Sequence, residues 1–113
     1  MCGISGIINA KHAADFLSGA LDLVSTRGYD GYGIEEKGAD IIKVGPKDLK
    51  ILQEKVAQKH LTGVTGIAHN RWATHGVASQ QNAHPHRSGS ITVVHNGDLD
   101  NYQELKKEYS ILY

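Results

Sequence analysis

Cys2-Gly3-Ile4-Ser5-Gly6-Ile7-Ile8-Asn9 is the stretch whose reading decides the fold. It is a short apolar run with small residues interleaved, bounded by Asn9 and Lys11, and it predicts a buried strand at the start of the chain. Working outward, Ala13, Phe16, Leu17, Ala20, Leu21 and Val24 follow the i, i+3, i+4 spacing of one helical face over residues 13–25. Arg27 and Gly28 then read as a basic last turn and a C-cap glycine. Two short runs, 33–36 and 39–44, flank Lys37-Gly38 and suit a hairpin. Pro46 fits a first helical turn, with Asp48 adding negative charge and Leu49, Leu52 and Val56 forming a second apolar stripe. Residues 64–69 and 91–95 read as two further buried strands joined by a polar, Gly- and His-rich loop over 70–90. Asp100 can cap a last helix with apolar positions Tyr102, Leu105, Tyr109 and Leu112. Ile111-Leu112-Tyr113 at its end implies a neighbour that covers them.

The chain has 113 residues, 40% of them hydrophobic and 21% charged, which fits one globular domain over 1–113 and excludes a multidomain enzyme. Twelve basic against twelve acidic side chains give a net charge of zero, so no phosphate-tracking surface is expected and nucleic acid is not an implied partner. No run approaches the roughly 18 apolar residues of a membrane span, and no secretory leader is evident. One cysteine cannot form an intramolecular disulfide, which agrees with a reducing, cytoplasmic setting and leaves its thiol available for chemistry.

Cys2 becomes the first residue if Met1 is removed, a step that small second residues usually permit. The α-amine, with an unperturbed pKa of about 7.7–8.0, would then lie beside a thiol of about 8.5 and could serve as its base. The alternative is a small buried hydrophobe at a strand start. His95-Asn96-Gly97 reads either as an ordinary tight turn or as two neutral donors converging on a developing oxyanion. In Arg71-Trp72-Ala73-Thr74-His75-Gly76, an Arg fork backed by a hydroxyl and an imidazole suits the carboxylate of an amino acid, and the competing reading is a surface loop with one buried Trp. His69, His75, His84, His86 and His95 match no zinc spacing, and Gly28-Tyr29-Asp30-Gly31-Tyr32-Gly33 lacks both nucleotide-binding glycine patterns, so neither a metal nor a cofactor is expected. The glycine-rich segment reads as a loop packed near the N-terminus.

Taken in order, Cys2-Gly3-Ile4, Arg27-Gly28-Tyr29-Asp30, His69 to Gly76, Asn82-Ala83-His84-Pro85-His86 and Val94-His95-Asn96-Gly97 resemble the N-terminal glutaminase domain of the glutamine–fructose-6-phosphate aminotransferases. That domain is a class II glutamine amidotransferase with an N-terminal nucleophile. The resemblance implies an α+β fold, the αββα sandwich of that group, of which residues 1–113 would form the N-terminal portion, with helices packed on antiparallel sheet. It implies that Cys2 attacks the glutamine side-chain amide, releasing ammonia, with Asn96 and Gly97 as the oxyanion hole. Arg71, Thr74 and His75 would hold the α-carboxylate, Trp72 would gate the loop over the substrate, and Arg27, Asp30 and His84 would support the pocket. The implied partners are glutamine, the remainder of the domain with an acidic residue for the glutamine α-amino group, and sugar-phosphate isomerase domains that receive the ammonia. A second reading is a truncated, non-catalytic module that retains the glutamine-binding residues and assembles with another chain. The sequence departs from the family at Gly31-Tyr32, where Ser-Ala is usual, and at Asp98, where an apolar residue is usual.

Overall fold

The chain sorts into an antiparallel sheet and a helical layer packed on one of its faces. The computed structural model describes residues 2–110. In chain order the elements are β1 (Gly3–Ile7), α1 (Ala13–Leu23), a 3₁₀ turn (Ser25–Arg27), β2 (Gly31–Glu36), β3 (Ile42–Val44), α2 (Leu49–Lys59), β4 (Gly66–Arg71), β5 (His86–Ser88), β6 (Ile91–Val93) and α3 (Tyr102–Ser110). Four strands form an antiparallel sheet in the order β1-β4-β2-β3, and β5 and β6 pair separately as a hairpin.

The register assigns the faces. Ile34 lies opposite both Ala68 and Ile42, and Tyr32 lies opposite both Asn70 and Val44, so these side chains share one face of the sheet. Leu17 and Leu21 of α1 and Leu52 and Val56 of α2 close over that face, and all of them join one core cluster with Tyr32, Ile34, Ile42, Val44 and Ala68. Burying each leucine or isoleucine completely stabilises the fold by roughly 1.5–3 kcal/mol. Gly31, Gly33, His69 and Arg71, at the intervening positions, face the other way.

The α+β class and the antiparallel sheet with packed helices agree with the sequence reading, and the differences are local. β1 lies at the sheet edge with alternating burial, and Ile4 is 46% exposed, so it is not buried on both sides. Helix α1 ends at Leu23, and Gly28 closes the following 3₁₀ turn in extended backbone instead of capping the helix. Glycine is needed at 28 for space, because a Cβ there would lie 2.6 Å from the Arg71 carbonyl carbon. Phe16, assigned to the buried stripe, is 55% exposed, since Ala13, Ala14, Leu17 and Leu21 already fill the face toward the sheet.

Gly31, Tyr32 and Gly33 belong to β2 and not to a loop, because β4 pairs with all three and β3 pairs with Tyr32 and Gly33 from the other side. Pro46 precedes a turn in which Lys47 has φ 64°, and α2 begins only at Leu49. The loop expected over 70–90 gives up Asn70 and Arg71 to β4 and residues 86–88 to β5. β6 is exposed at Ile91 and Val93, so it is not the buried strand that its apolar composition suggests. Helix α3 starts two residues after Asp100, with the Asn101 carbonyl accepting its early bond from Leu105, and its described residues include none that are buried. Leu112 and the Ile111-Leu112-Tyr113 terminus lie outside the described residues, as does Met1.

Candidate active site

Strand β4 provides the platform. Asn70, on the helix face, donates through Nδ2 to the carbonyls of Val24 at 2.8 Å and Gly28 at 3.0 Å, which ties the end of the α1 segment to the sheet. Gly3 makes room for it, since a Cβ at that position would lie 2.1 Å from Asn70 Oδ1. The first residue before β1 is therefore delivered to the C-terminal end of β4. There the Trp72 amide donates to Cys2 Sγ at 3.1 Å.

The Cys2 carbonyl is held from two sides, by Arg27 Nε at 3.2 Å and by Asn96 Nδ2 at 3.1 Å. Asn96 is itself oriented by a buried histidine. His69 Nε2 lies 2.9 Å from Asn96 Oδ1 and 3.1 Å from the His95 carbonyl, and because both oxygens only accept, the ring carries its proton on Nε2. That donor fixes the amide with its NH₂ group toward Cys2, and one of the two N–H groups remains beyond the bond to the Cys2 carbonyl. Gly97 follows at φ 125°, a conformation that favours glycine.

Arg71 reaches the same face. Its guanidinium donates to the carbonyls of Val77 at 2.8 Å, Gly76 at 3.4 Å and His75, so the fork that the sequence reserves for a carboxylate is engaged with the main chain of residues 75–77. This buried cation shapes the loop and lends its charge to the cleft. Asp30 holds the start of the same loop by accepting from the Ala73 amide at 2.8 Å, while its own amide donates to the Arg71 carbonyl. Thr74 Oγ1 donates to Asp98 Oδ1 at 3.1 Å, and the His75 ring packs edge-on against Tyr102. Trp72 is 44% exposed, and its ring lies near Tyr29.

Residues 83–86 cover the glycines of β2. A Cβ at Gly33 would lie 1.9 Å from the His84 carbonyl, and one at Gly31 would lie 2.9 Å from the Ala83 side chain. The His84 ring stacks on His69 at 4.3 Å and meets His86 edge-on at 4.6 Å, while its Nδ1 accepts from the His95 amide. Burial, then the neighbouring His69, His86, Arg71 and His95, pushes His84 down to about 3, and burial likewise lowers His69 and His86. Among the described residues no group of three or more His, Cys, Asp or Glu is disposed to hold a metal ion.

Together these residues enclose a cleft of about 190 Å³ lined by Cys2, Arg71, Trp72, Thr74, His75, Asn82, His84, His86, His95, Gly97 and Asp98. The structure thus gathers the sequence-selected Cys2, Arg71, Trp72, Thr74, His75, His84 and Gly97 around one space, with Asn96, Arg27 and Asp30 bound to its walls. Asn82, His86, His95 and Asp98 line the cleft, and His69 braces its wall, without having been selected for the site from sequence. His69 shares a strand face with Arg71 two residues away, a period-two signal that could have marked it. Asp98 stood out only as a departure from the family pattern. The cleft gathers a half-exposed thiol, neutral amide donors and the Arg71 cation, groups suited to nucleophilic attack on a small polar substrate.

No family model matches the chain. It is 48% identical over 110 residues to a glutamine–fructose-6-phosphate aminotransferase (isomerizing) of Haemophilus ducreyi, covering 94% of this chain and 18% of that protein. It is 45% identical to those of Acinetobacter baylyi over 114 residues and Pyrococcus horikoshii over 112, covering 99% and 96% of this chain and 19% of each of those proteins. The chain therefore spans about a fifth of the length of these curated relatives. Among solved structures, it resembles the glutamine phosphoribosylpyrophosphate amidotransferase from B. subtilis complexed with ADP and GMP, with a TM-score of 0.75 and 24% identity over 99% of this chain and 25% of that one. The chain shares the fold of the matching part of that amidotransferase. Among the described residues no helix is long and apolar enough to cross a membrane.

Proposed function

This chain is a homologue of the N-terminal domain of the glutamine–fructose-6-phosphate aminotransferases, and from that premise we propose that it carries the glutamine-hydrolysing chemistry of that domain. Residues 1–113 would be its N-terminal portion, working in the cytoplasm. The remainder of the domain would complete it, and sugar-phosphate isomerase domains would take the ammonia for amination of fructose 6-phosphate.

The observation that carries this reading is the approach of the Asn96 amide to Cys2, 3.1 Å from its carbonyl, in the cleft that also holds the thiol. Once Met1 is removed, the free α-amine takes the thiol proton, directly or through water, and Sγ attacks the amide carbon of glutamine. The oxygen that gains charge is met by the second Asn96 N–H and the Gly97 amide, while His69 holds the Asn96 side chain for that task. Collapse of the tetrahedral intermediate breaks the C–N bond. The α-ammonium returns its proton to the leaving nitrogen, which departs as ammonia and leaves a glutamyl thioester. Water then hydrolyses the thioester to glutamate and restores the thiol. Arg71, Thr74 and His75 would receive the α-amino-acid end of the substrate, Trp72 would cover it, and Arg27, Asp30 and His84 would keep the walls in place.

The test begins with mass spectrometry for loss of Met1. In the processed chain a diazoketone analogue of glutamine should label Cys2, Cys2→Ala should abolish ammonia release, and Cys2→Ser should impair it strongly. Undiminished ammonia release by Cys2→Ala would refute the reading.

A further inference from the structure

Ammonium groups gathered in one cavity without a counter-charge repel one another, and an anion between them removes that cost. A groove of about 420 Å³, apart from the Cys2 cleft, runs between β3, the C-terminal half of α2 and the loop at Gln80. Lys43, Lys55 and Lys59 line it with Gln58 and Gln80. No carboxylate does, whereas the Cys2 cleft sets Asp98 against Arg71. The chain as a whole is neutral, so three lysines in this groove are a local excess.

These cations lack a counter-charge within the described fold. Lys55 and Lys59 stand at i, i+4 on α2, where like charges destabilise a helix. Among the described residues no ion pair includes either of them or Lys43. Lys43 lies opposite Gly33 in the sheet, and its Nζ donates to the Gln81 carbonyl at 3.2 Å, which leaves two of its three N–H groups. Burial holds the Lys43 pKa below the usual lysine value, a shift that a bound anion reverses. The ligand chemistry follows from the donors. A guanidinium fork matches a planar carboxylate, whereas ammonium groups are point charges that suit phosphate oxygens approached from several directions. Three of them exceed what a singly charged anion balances, and the Gln58 and Gln80 amides add neutral N–H donors. We propose that this groove is a binding site for a small diphosphate, inorganic or esterified, held among Lys43, Lys55 and Lys59. Because β3 is the outer strand of its sheet, no further strand among the described residues closes the entrance.

The test is calorimetric titration of the full chain with inorganic pyrophosphate, at fixed ionic strength and without divalent cations. One molecule should bind per chain. Lys43→Gln, Lys55→Gln and Lys59→Gln should each weaken binding roughly tenfold, the loss expected for one charge-assisted hydrogen bond. Lys43→Arg, which keeps the charge, should bind more tightly than Lys43→Gln. Lys50→Gln removes an exposed lysine of α2 outside the groove and should leave binding unchanged. Equal weakening by Lys50→Gln would reveal attraction to overall charge, and full affinity after all three groove lysines become Gln would put the anion elsewhere. Either result, or no binding by the parent chain, overturns the proposal. Isopentenyl diphosphate separates the two sources: tighter binding than pyrophosphate identifies an ester whose carbon chain lies on Ile41 and Ile42, and equal or weaker binding identifies inorganic diphosphate. The groove shares no lining residue with the Cys2 cleft, so the outcome is independent of glutamine hydrolysis.

Discussion

The two faces of β4 differ as sharply as two separate proteins would. Ala68 and Asn70 point toward the helices, where Leu17, Leu21, Leu52 and Val56 exclude water and the polar Asn70 is hydrogen-bonded to two carbonyls. His69 and Arg71 point the other way, into histidines, loop carbonyls and an open cleft. One strand carries the packed core on one side and the candidate site on the other. Because the polar residues project from a strand held by packing, they are positioned more tightly than loop residues could be. The difference teaches that burial alone does not mark a core: His69 and Asn70 are as fully buried as Leu17, yet all three are buried for different reasons.

The comparison breaks most visibly at the helix face. Leu17→Ala should cost roughly 2–5 kcal/mol, read as a lowered urea midpoint, because the helix and sheet around it cannot collapse into the space it leaves. A loss below 1 kcal/mol would mean that the helix layer is loosely packed.

Acid should strike the other face. His84 is neutral in the folded chain with its pKa near 3, whereas in the unfolded chain it returns toward the ordinary 6.5. The unfolded state therefore binds more protons between these values, so His84 makes stability fall as pH drops from about 6.5 toward 3, and His69 and His86, which burial also lowers, act in the same direction. The direct check is by NMR, where the His84 ring should keep its neutral chemical shifts at pH 5. A normal titration near 6.5 would contradict the burial that the stacked rings describe.

The smallest effect belongs to α3. Leu105→Ala should change stability by less than about 0.5 kcal/mol, since α3 buries no described residue and alanine favours helix. A large loss in the urea midpoint would show that Leu105 is packed in solution, and would dissolve the contrast with Leu17.

Much of the fold was legible because helical and strand periods are local properties. The stripe through Leu17 and Leu21 and the turn at Lys37-Gly38 follow from spacing and from glycine chemistry, and they needed no partner to be recognised. What escaped was decided by neighbours. Ile91 and Val93 have strand composition but pair only with β5, so nothing covers them among the described residues. Gly31 and Gly33 look like loop residues until β3, β4 and residues 83–86 close around them. In the site, residue identities pointed to Cys2, Arg71 and Asn96, whereas the Asn96 orientation set by His69 and the Thr74 hydroxyl taken by Asp98 depend on contacts across 27 and 24 residues.

By itself the sequence determined which side chains are present to attack, to donate and to carry charge, and which segments take helical or extended form, since both are written residue by residue. The tertiary structure alone decided which of those groups meet and in which hydrogen-bonding sense. A donor can be given only once, and its acceptor is chosen by packing between distant segments.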